Sequence, residues 1–236
     1  MSNFNKISLI NNLHNRAYGD INFNLKEFIK VMFPKIKDDS IIYCFETHST
    51  KIDLTIVVNN IKKNISVKNG DIVCAYKDNI LKFVSFLYSI SVSSECVCAL
   101  LKYHYADGTC DGSGQNAYSY GSLLSYDYRK EINIVEKEFS NLTKLEKVLD
   151  SILFYDNYGR SVDYFYFGNA KKGVYANATR VKKNILAESN NYHHNFMRIG
   201  VMNFLPLKRS LLSVDKFDKR RHICLLRINL KKYIKK

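Results

Sequence analysis

Residues 51–70, KIDLTIVVNNIKKNISVKNG, constrain the fold more than any other stretch. Apolar and polar residues alternate on both sides of Asn59-Asn60, the pattern of two half-buried strands joined by a tight turn. Asparagine tolerates the left-handed backbone that a two-residue hairpin turn demands, which places this pair at its centre. Val58 then pairs with Ile61, Leu54 with Ile65, and Asp53 with Ser66. One face collects Ile52, Leu54, Ile56, Val58, Ile61, Ile65 and Val67, interrupted only by Lys63. The other collects Asp53, Thr55, Val57, Lys62, Asn64, Ser66 and Lys68. Because side chains repeat every two residues, a slip of one would separate Asp53 and Lys68 onto opposite faces.

Around this hairpin the pattern predicts an α-β-β-β-α-β order in residues 1–105. NFNLKEFIKVMFP puts Leu25, Phe28, Ile29, Met32 and Phe33 on one helical face, with Asn22 or Asn24 as cap and Pro34 as stop. IIYCFE (41–46) reads as a buried strand, and the hairpin strands occupy 52–58 and 61–67. DNILKFVSFLYSI reads as a helix capped by Asp78, and ECVCALLKYHY (95–105) as a further strand. Beyond a Gly/Asp-rich loop, helices are expected within 131–154, strands at VDYFYFG and GVYANAT, a basic helix at 180–189 and a strand at RHICLLRINL.

Hydrolysis of a phosphodiester needs a divalent cation at the phosphate and an activated water in line with the leaving oxygen. A carboxylate suits the metal, a lysine suits the developing charge, and rigid neighbouring strands hold both in place. KIDL followed, 13 residues after Asp53, by ISVK on adjacent strands resembles the PD-(D/E)XK nuclease superfamily, the fold of many type II restriction endonucleases. The resemblance covers about residues 1–105 and implies an α/β (α+β), restriction-endonuclease-like αβββαβ core, a mixed central sheet flanked by helices. It implies that Asp53 is a metal ligand, that Lys68 is the catalytic lysine, and that the cofactor is Mg²⁺. Ile52 stands where the motif has proline, and Ser66 fills the second acidic position, as in Ser-x-Lys members. Such members draw the missing carboxylate from the following helix, where Asp78 stands, with Glu95 further off. Glu27 on the first helix and Glu46 at the end of the first strand are the other candidates. On this reading residues 1–105 are the nuclease-like core. Residues 106–236 complete the fold and carry a basic nucleic-acid-binding surface, the whole forming one continuous domain.

Charge supports a polyanionic partner. Residues 180–236 hold 15 Lys and Arg against Glu188, Asp215 and Asp218, whereas the first 179 residues are nearly balanced. Lysines and arginines interleave with aromatics around Lys171, Lys172, Arg180, Lys182 and Lys183, and Arg220-Arg221 form a second cluster. These are the candidate nucleic-acid contacts. The expected partner is double-stranded DNA, gripped by a homodimer, since cutting both strands suits two-fold symmetry. A catalytically inactive nucleic-acid-binding protein on the same fold, or a basic protein-interaction domain, are the alternatives. The N-terminus lacks a signal-peptide pattern and the apolar window 83–101 carries five serines and Glu95. The expectation is therefore a cytoplasmic protein with no membrane span. Six scattered cysteines without a C-x-x-C pair read as reduced thiols. His104 with Cys110, or His193-His194, lacks a second ligand pair for zinc. Asp107 and Asp111 sit in a glycine-rich loop without EF-hand spacing, which reads as a tight turn or a DNA-contacting loop.

Overall fold

The computed structural model describes residues 2–114, 128–189, 196–207 and 218–234; the His193-His194 pair lies outside them. The chain divides into two compact units, neither a single stretch of sequence. The first comprises Met1–Val73, Asp150–Asn184 and Asn229–Lys236, the second Cys74–Leu149 and Ile185–Ile228.

The first unit is built on a six-stranded sheet. Its strands are β1 (Arg16–Ala17), β2 (Ile41–Glu46), β3 (Leu54–Val58), β4 (Ile61–Lys68), β6 (Tyr164–Gly168) and β7 (Gly173–Asn177), in that spatial order. Neighbours run antiparallel except β4 and β6, which are parallel. Helices α1 (Ser2–Leu13) and α2 (Phe23–Met32) cover the apolar face, and Leu9, Leu13, Leu25, Phe28 and Ile29 are fully buried with Leu54, Ile56 and Ile65. The Asn22 side chain caps α2 by accepting from the Leu25 N–H at 3.1 Å. Helix α1 has no counterpart in the sequence reading, because its Asn-rich stretch carries only a narrow apolar stripe at Leu9 and Leu13.

The second unit contains β5 (Val73–Asn79) from Cys74 onward, α3 (Ile80–Ser89), α4 (Ser94–Tyr105), α5 (Arg129–Phe139), α6 (Leu142–Leu149), β8 (Arg198–Ile199), β9 (Met202–Pro206) and β10 (Ile223–Ile228). Helix α7 (Ala178–Glu188) is divided between the units at Asn184. The second sheet has the order β5-β10-β9-β8.

The expected class, a mixed α/β fold with a mixed sheet flanked by helices, is what the chain adopts. Two expectations are corrected. Residues 95–105 form α4 and not a strand: Ser93 caps the helix through the Cys96 N–H, and Cys96, Val97, Leu100, Leu101 and His104 recur at helical spacing and are buried. The strand beside β4 is instead β6, from almost a hundred residues further on. Likewise Cys98 and Cys110 are not free thiols but a disulfide, because α4 and the loop after it bring their Cα atoms to 5.6 Å. No helix among the described residues is long and apolar enough to cross a membrane.

Candidate active site

The hairpin turns as its asparagines require. Asn59 and Asn60 have φ of 47° and 64°, both left-handed, as a type I′ turn demands. The register follows, with Val58 opposite Ile61 and Leu54 opposite Ile65. Past β3 the Asp53 N–H donates to the Ile65 carbonyl at 2.9 Å, one residue off the hairpin register, while the Thr47 N–H donates to the Asp53 carbonyl at 3.0 Å. Thr47 stands beside Asp53 and Ser66 beside Phe165, and the contact of Ser66 Oγ with the Asp53 carboxylate joins them into one row on the face opposite α1 and α2. The loop that delivers Asp53 is anchored as well. Ser49 Oγ accepts from the N–H groups of Lys51 and Ile52 and donates to Asp156 Oδ2 at 3.0 Å. Burial works against the Asp156 carboxylate, but the Arg160 side chain and the N–H groups of Arg160 and Tyr158 outweigh it and hold the pKa at about 2.

Within the row, Asp53 Oδ2 accepts from the Val67 N–H at 2.8 Å and from Ser66 Oγ at 3.4 Å. These bonds fix the carboxylate while Oδ1 makes no hydrogen bond among the described residues. Ser66 is fully buried. Lys68 follows two residues along β4, beside Phe167, and makes no hydrogen bond or ion pair among the described residues. Burial pushes its ammonium below the ordinary lysine value, and the charge of Asp53 pulls it partly back. Among the described residues the site thus offers one immobilised carboxylate with a spare oxygen, a buried hydroxyl and an unpaired ammonium. Among the described residues no three His, Cys, Asp or Glu side chains converge to hold a metal. Mg²⁺ seldom uses an all-protein cage and is held by one or two carboxylates with substrate phosphates and waters, a pattern that this donor set fits.

The other candidates are engaged elsewhere. Asp78 belongs to the second unit, and its carboxylate accepts from the Asn79 N–H at 2.7 Å and from Lys82 Nζ at 3.2 Å. Asn79, not Asp78, caps α3. Those bonds hold the Asp78 carboxyl below its usual range. Glu27 is exposed on α2, where its charge adds to burial, the larger cause, in raising the phenols of Tyr18 and Tyr175. Glu46 pairs with Lys6 at 2.5 Å, which lowers its carboxyl, and Glu95 is exposed in the first turn of α4. Two polar residues on the strands around the site escaped the sequence reading. Thr47 shares the row of Asp53, and its Oγ1 lies 3.1 Å from that of Thr55. Asp163, just before β6, accepts from the Asn64 N–H at 2.7 Å and pairs with Lys63 at 3.6 Å. Only the parallel β4–β6 pairing reveals it, and no local signal announces that pairing.

Of the basic candidates, Lys171 and Lys172 are exposed on the β6–β7 turn, and Arg180 and Lys183 are exposed on α7. Lys182 pairs with Asp150 at 2.8 Å. Exposed Arg220 is clasped by Asp218. Arg221 is 6% exposed and donates to the Gly112 carbonyl at 3.1 Å. The Asp107–Asp111 loop is a turn built on its own side chains. Asp107 accepts from Thr109 N–H, Thr109 Oγ1 and Gly114 N–H, and Arg221 lies 3.9 Å from its carboxylate. Cys110 is in the disulfide, and the His104 Nε2 meets the Arg221 carbonyl at 2.7 Å.

No protein-family profile matches this chain, and no curated protein matches it. Among solved structures, the chain is similar to restriction endonuclease MspI in complex with its cognate DNA. Identity is 12%, the alignment covers 89% of this chain and 80% of that one, and the TM-score is 0.49.

Proposed function

We propose that this protein is a Mg²⁺-dependent DNA endonuclease of restriction type, hydrolysing phosphodiester bonds of duplex DNA. The observation that carries this reading is the Asp53–Ser66–Lys68 arrangement. A carboxylate fixed by a backbone N–H keeps one oxygen free, and an unpaired lysine stands two residues along the neighbouring strand on the same face. Asp53 would hold the metal, which supplies charge at the scissile phosphate and lowers the pKa of its bound water. Ser66 steadies Asp53 from a buried position. Lys68, half-buried and uncommitted, donates to the charge that develops on the phosphoryl oxygens and orients the attacking water. Exposed Lys171, Lys172, Arg180 and Lys183 supply phosphate contacts that fix register without reading sequence. A homodimer would present two such sites to the two strands.

Ser66 in the second acidic position, together with the lack of a three-acid cluster among the described residues, favours a second reading: a DNA-binding protein that does not cut. One experiment separates the two. Purified protein is incubated with a panel of plasmid and genomic DNAs in Mg²⁺ or Mn²⁺, and binding is followed in parallel against salt. The nuclease reading predicts discrete, EDTA-sensitive cleavage. DNA that is bound but stays intact in both metals sinks it in favour of the second reading.

A further inference from the structure

The site face of the first sheet continues away from Asp53 in two further rows. Phe45, Thr55 and Asn64 form the next, with Thr55 Oγ1 donating to Asn64 Oδ1 at 3.0 Å, and Tyr43, Val57 and Lys62 the one beyond. Tyr43 and Phe45 are 42% and 48% exposed. Their planes lie within 4° of parallel with centroids 6.3 Å apart. His14 supports them edge-on at 6.2 and 5.2 Å, and its Nδ1 accepts from the Cys44 N–H between them at 3.3 Å. Beside Tyr43 lies an open depression of about 490 Å³, rimmed by Lys35, Lys37, Asp39 and the turn residues Asn59 and Asn60. With exposed Lys62 in the same row, three cations face one carboxylate.

We infer that Tyr43 and Phe45 form a stacking subsite for an unpaired nucleotide, with Lys35, Lys37 and Lys62 holding the adjoining phosphate. The occupant is a stretch of the same polynucleotide that crosses Asp53 and Lys68, so the inference rests on the nuclease reading for its context. Three features identify it. An exposed pair of parallel rings offers π-faces to any base and needs no sequence-specific contact. The excess of lysines beside them suits a phosphate and disfavours an acidic or purely apolar partner. And the rows share one face of one sheet: four residues along β3, from Asp53 to Val57, span ~13 Å at the usual strand rise. A strand lying across Asp53 therefore reaches Tyr43 within a few nucleotides. Stacking needs a base with a bare face, so the ligand is a single-stranded or unstacked segment and not an intact duplex end to end.

The test uses the full chain in Ca²⁺ or EDTA, which isolates binding from cleavage. Mixed-sequence single-stranded oligonucleotides and the matching duplex are titrated by fluorescence anisotropy across a salt series. Irradiation of 5-iodouracil oligonucleotides with mass spectrometry then maps the contact. We expect Tyr43→Leu with Phe45→Leu, which keep apolar area and lose the rings, to weaken single-strand binding roughly tenfold or more. We expect Lys35→Ala with Lys37→Ala to flatten the salt slope by about one to two units, and crosslinks to fall on Tyr43 or Phe45. Tyr158, an exposed tyrosine of another loop, serves as control and Tyr158→Leu should bind as wild type. Unchanged affinity of the Tyr43/Phe45 variants, or crosslinks centred on Tyr158, overturns the inference. The two failures remain separable. Ring-dependent binding by a protein that cuts nothing retires the nuclease and keeps the subsite, whereas cleavage with ring-independent binding does the reverse.

Discussion

Asp53 and Asp107 each lie near a cationic side chain, Lys68 and Arg221, yet the surroundings treat the two pairs differently. Asp107 spends both carboxylate oxygens on Thr109 and Gly114, while Arg221 is buried against the Gly112 carbonyl. That pair closes a loop. Asp53 commits only Oδ2, and Lys68 commits nothing, although burial is costly to its charge. A fold that holds polar groups rigidly and leaves them unsatisfied has given up stability there, and such places are where chemistry is found. Sequence already separates the two, placing Asp53 on a hairpin strand and Asp107 in a glycine-rich turn. Hydrogen bonding separates them further.

The largest effect that would break the comparison is on cleavage. Lys68→Ala should lower single-turnover cleavage roughly 10²- to 10³-fold at matched DNA occupancy, as expected for loss of one group aimed at transition-state charge. Arg221→Ala should instead cost about 3 kcal/mol of stability by leaving Asp107 buried beside no cation. Its cleavage rate per folded molecule should hold, read from urea unfolding and from rates at saturating DNA. If Arg221→Ala is fully stable but fails to bind DNA, the assignment of that side chain to the loop interior is wrong.

A smaller effect attaches to the anchor of the Asp53 loop. The folded pKa of Asp156, about 2, lies below its ordinary value of 3.8, so its contribution is present at neutral pH and fades as pH falls through that interval. Its partner Arg160 is half exposed and partly screened, so Asp156→Asn should remove about 1–2 kcal/mol. The loss should be seen at pH 7 in thermal unfolding and should shrink below pH 3. The finest test concerns Lys68. Asp53→Asn removes the charge that raises the lysine, so the Lys68 titration, followed by NMR of the labelled side chain, should move further below the ordinary lysine value. An upward movement would mean that Asp53 does not act on it.

How much of this was legible follows from which information is local. The β3–β4 hairpin was, because Asn59 and Asn60 dictate a turn type, the turn dictates register, and register places Asp53, Ser66 and Lys68 together. Helix α2, β6, β7 and α7 were likewise written in short-range pattern. Residues 95–105 misled because their β-branched and aromatic residues resemble a strand, while the deciding cap at Ser93 lies just outside the segment. The partner of β4, and with it Asp163, was hidden because parallel pairing across almost a hundred residues leaves no local mark. Asp78 was misplaced by one residue as a cap, and its division into the second unit could not be read from spacing at all.

The central claim is that Asp53 is the carboxylate around which phosphodiester cleavage is organised. Single-turnover cleavage by wild type and Asp53→Ala, at equal DNA occupancy and with Mg²⁺ present, tests it most directly. The account predicts that the wild type cuts while Asp53→Ala binds equally and leaves the DNA intact over the same time. Asp53→Ala cutting at the wild-type rate would contradict it.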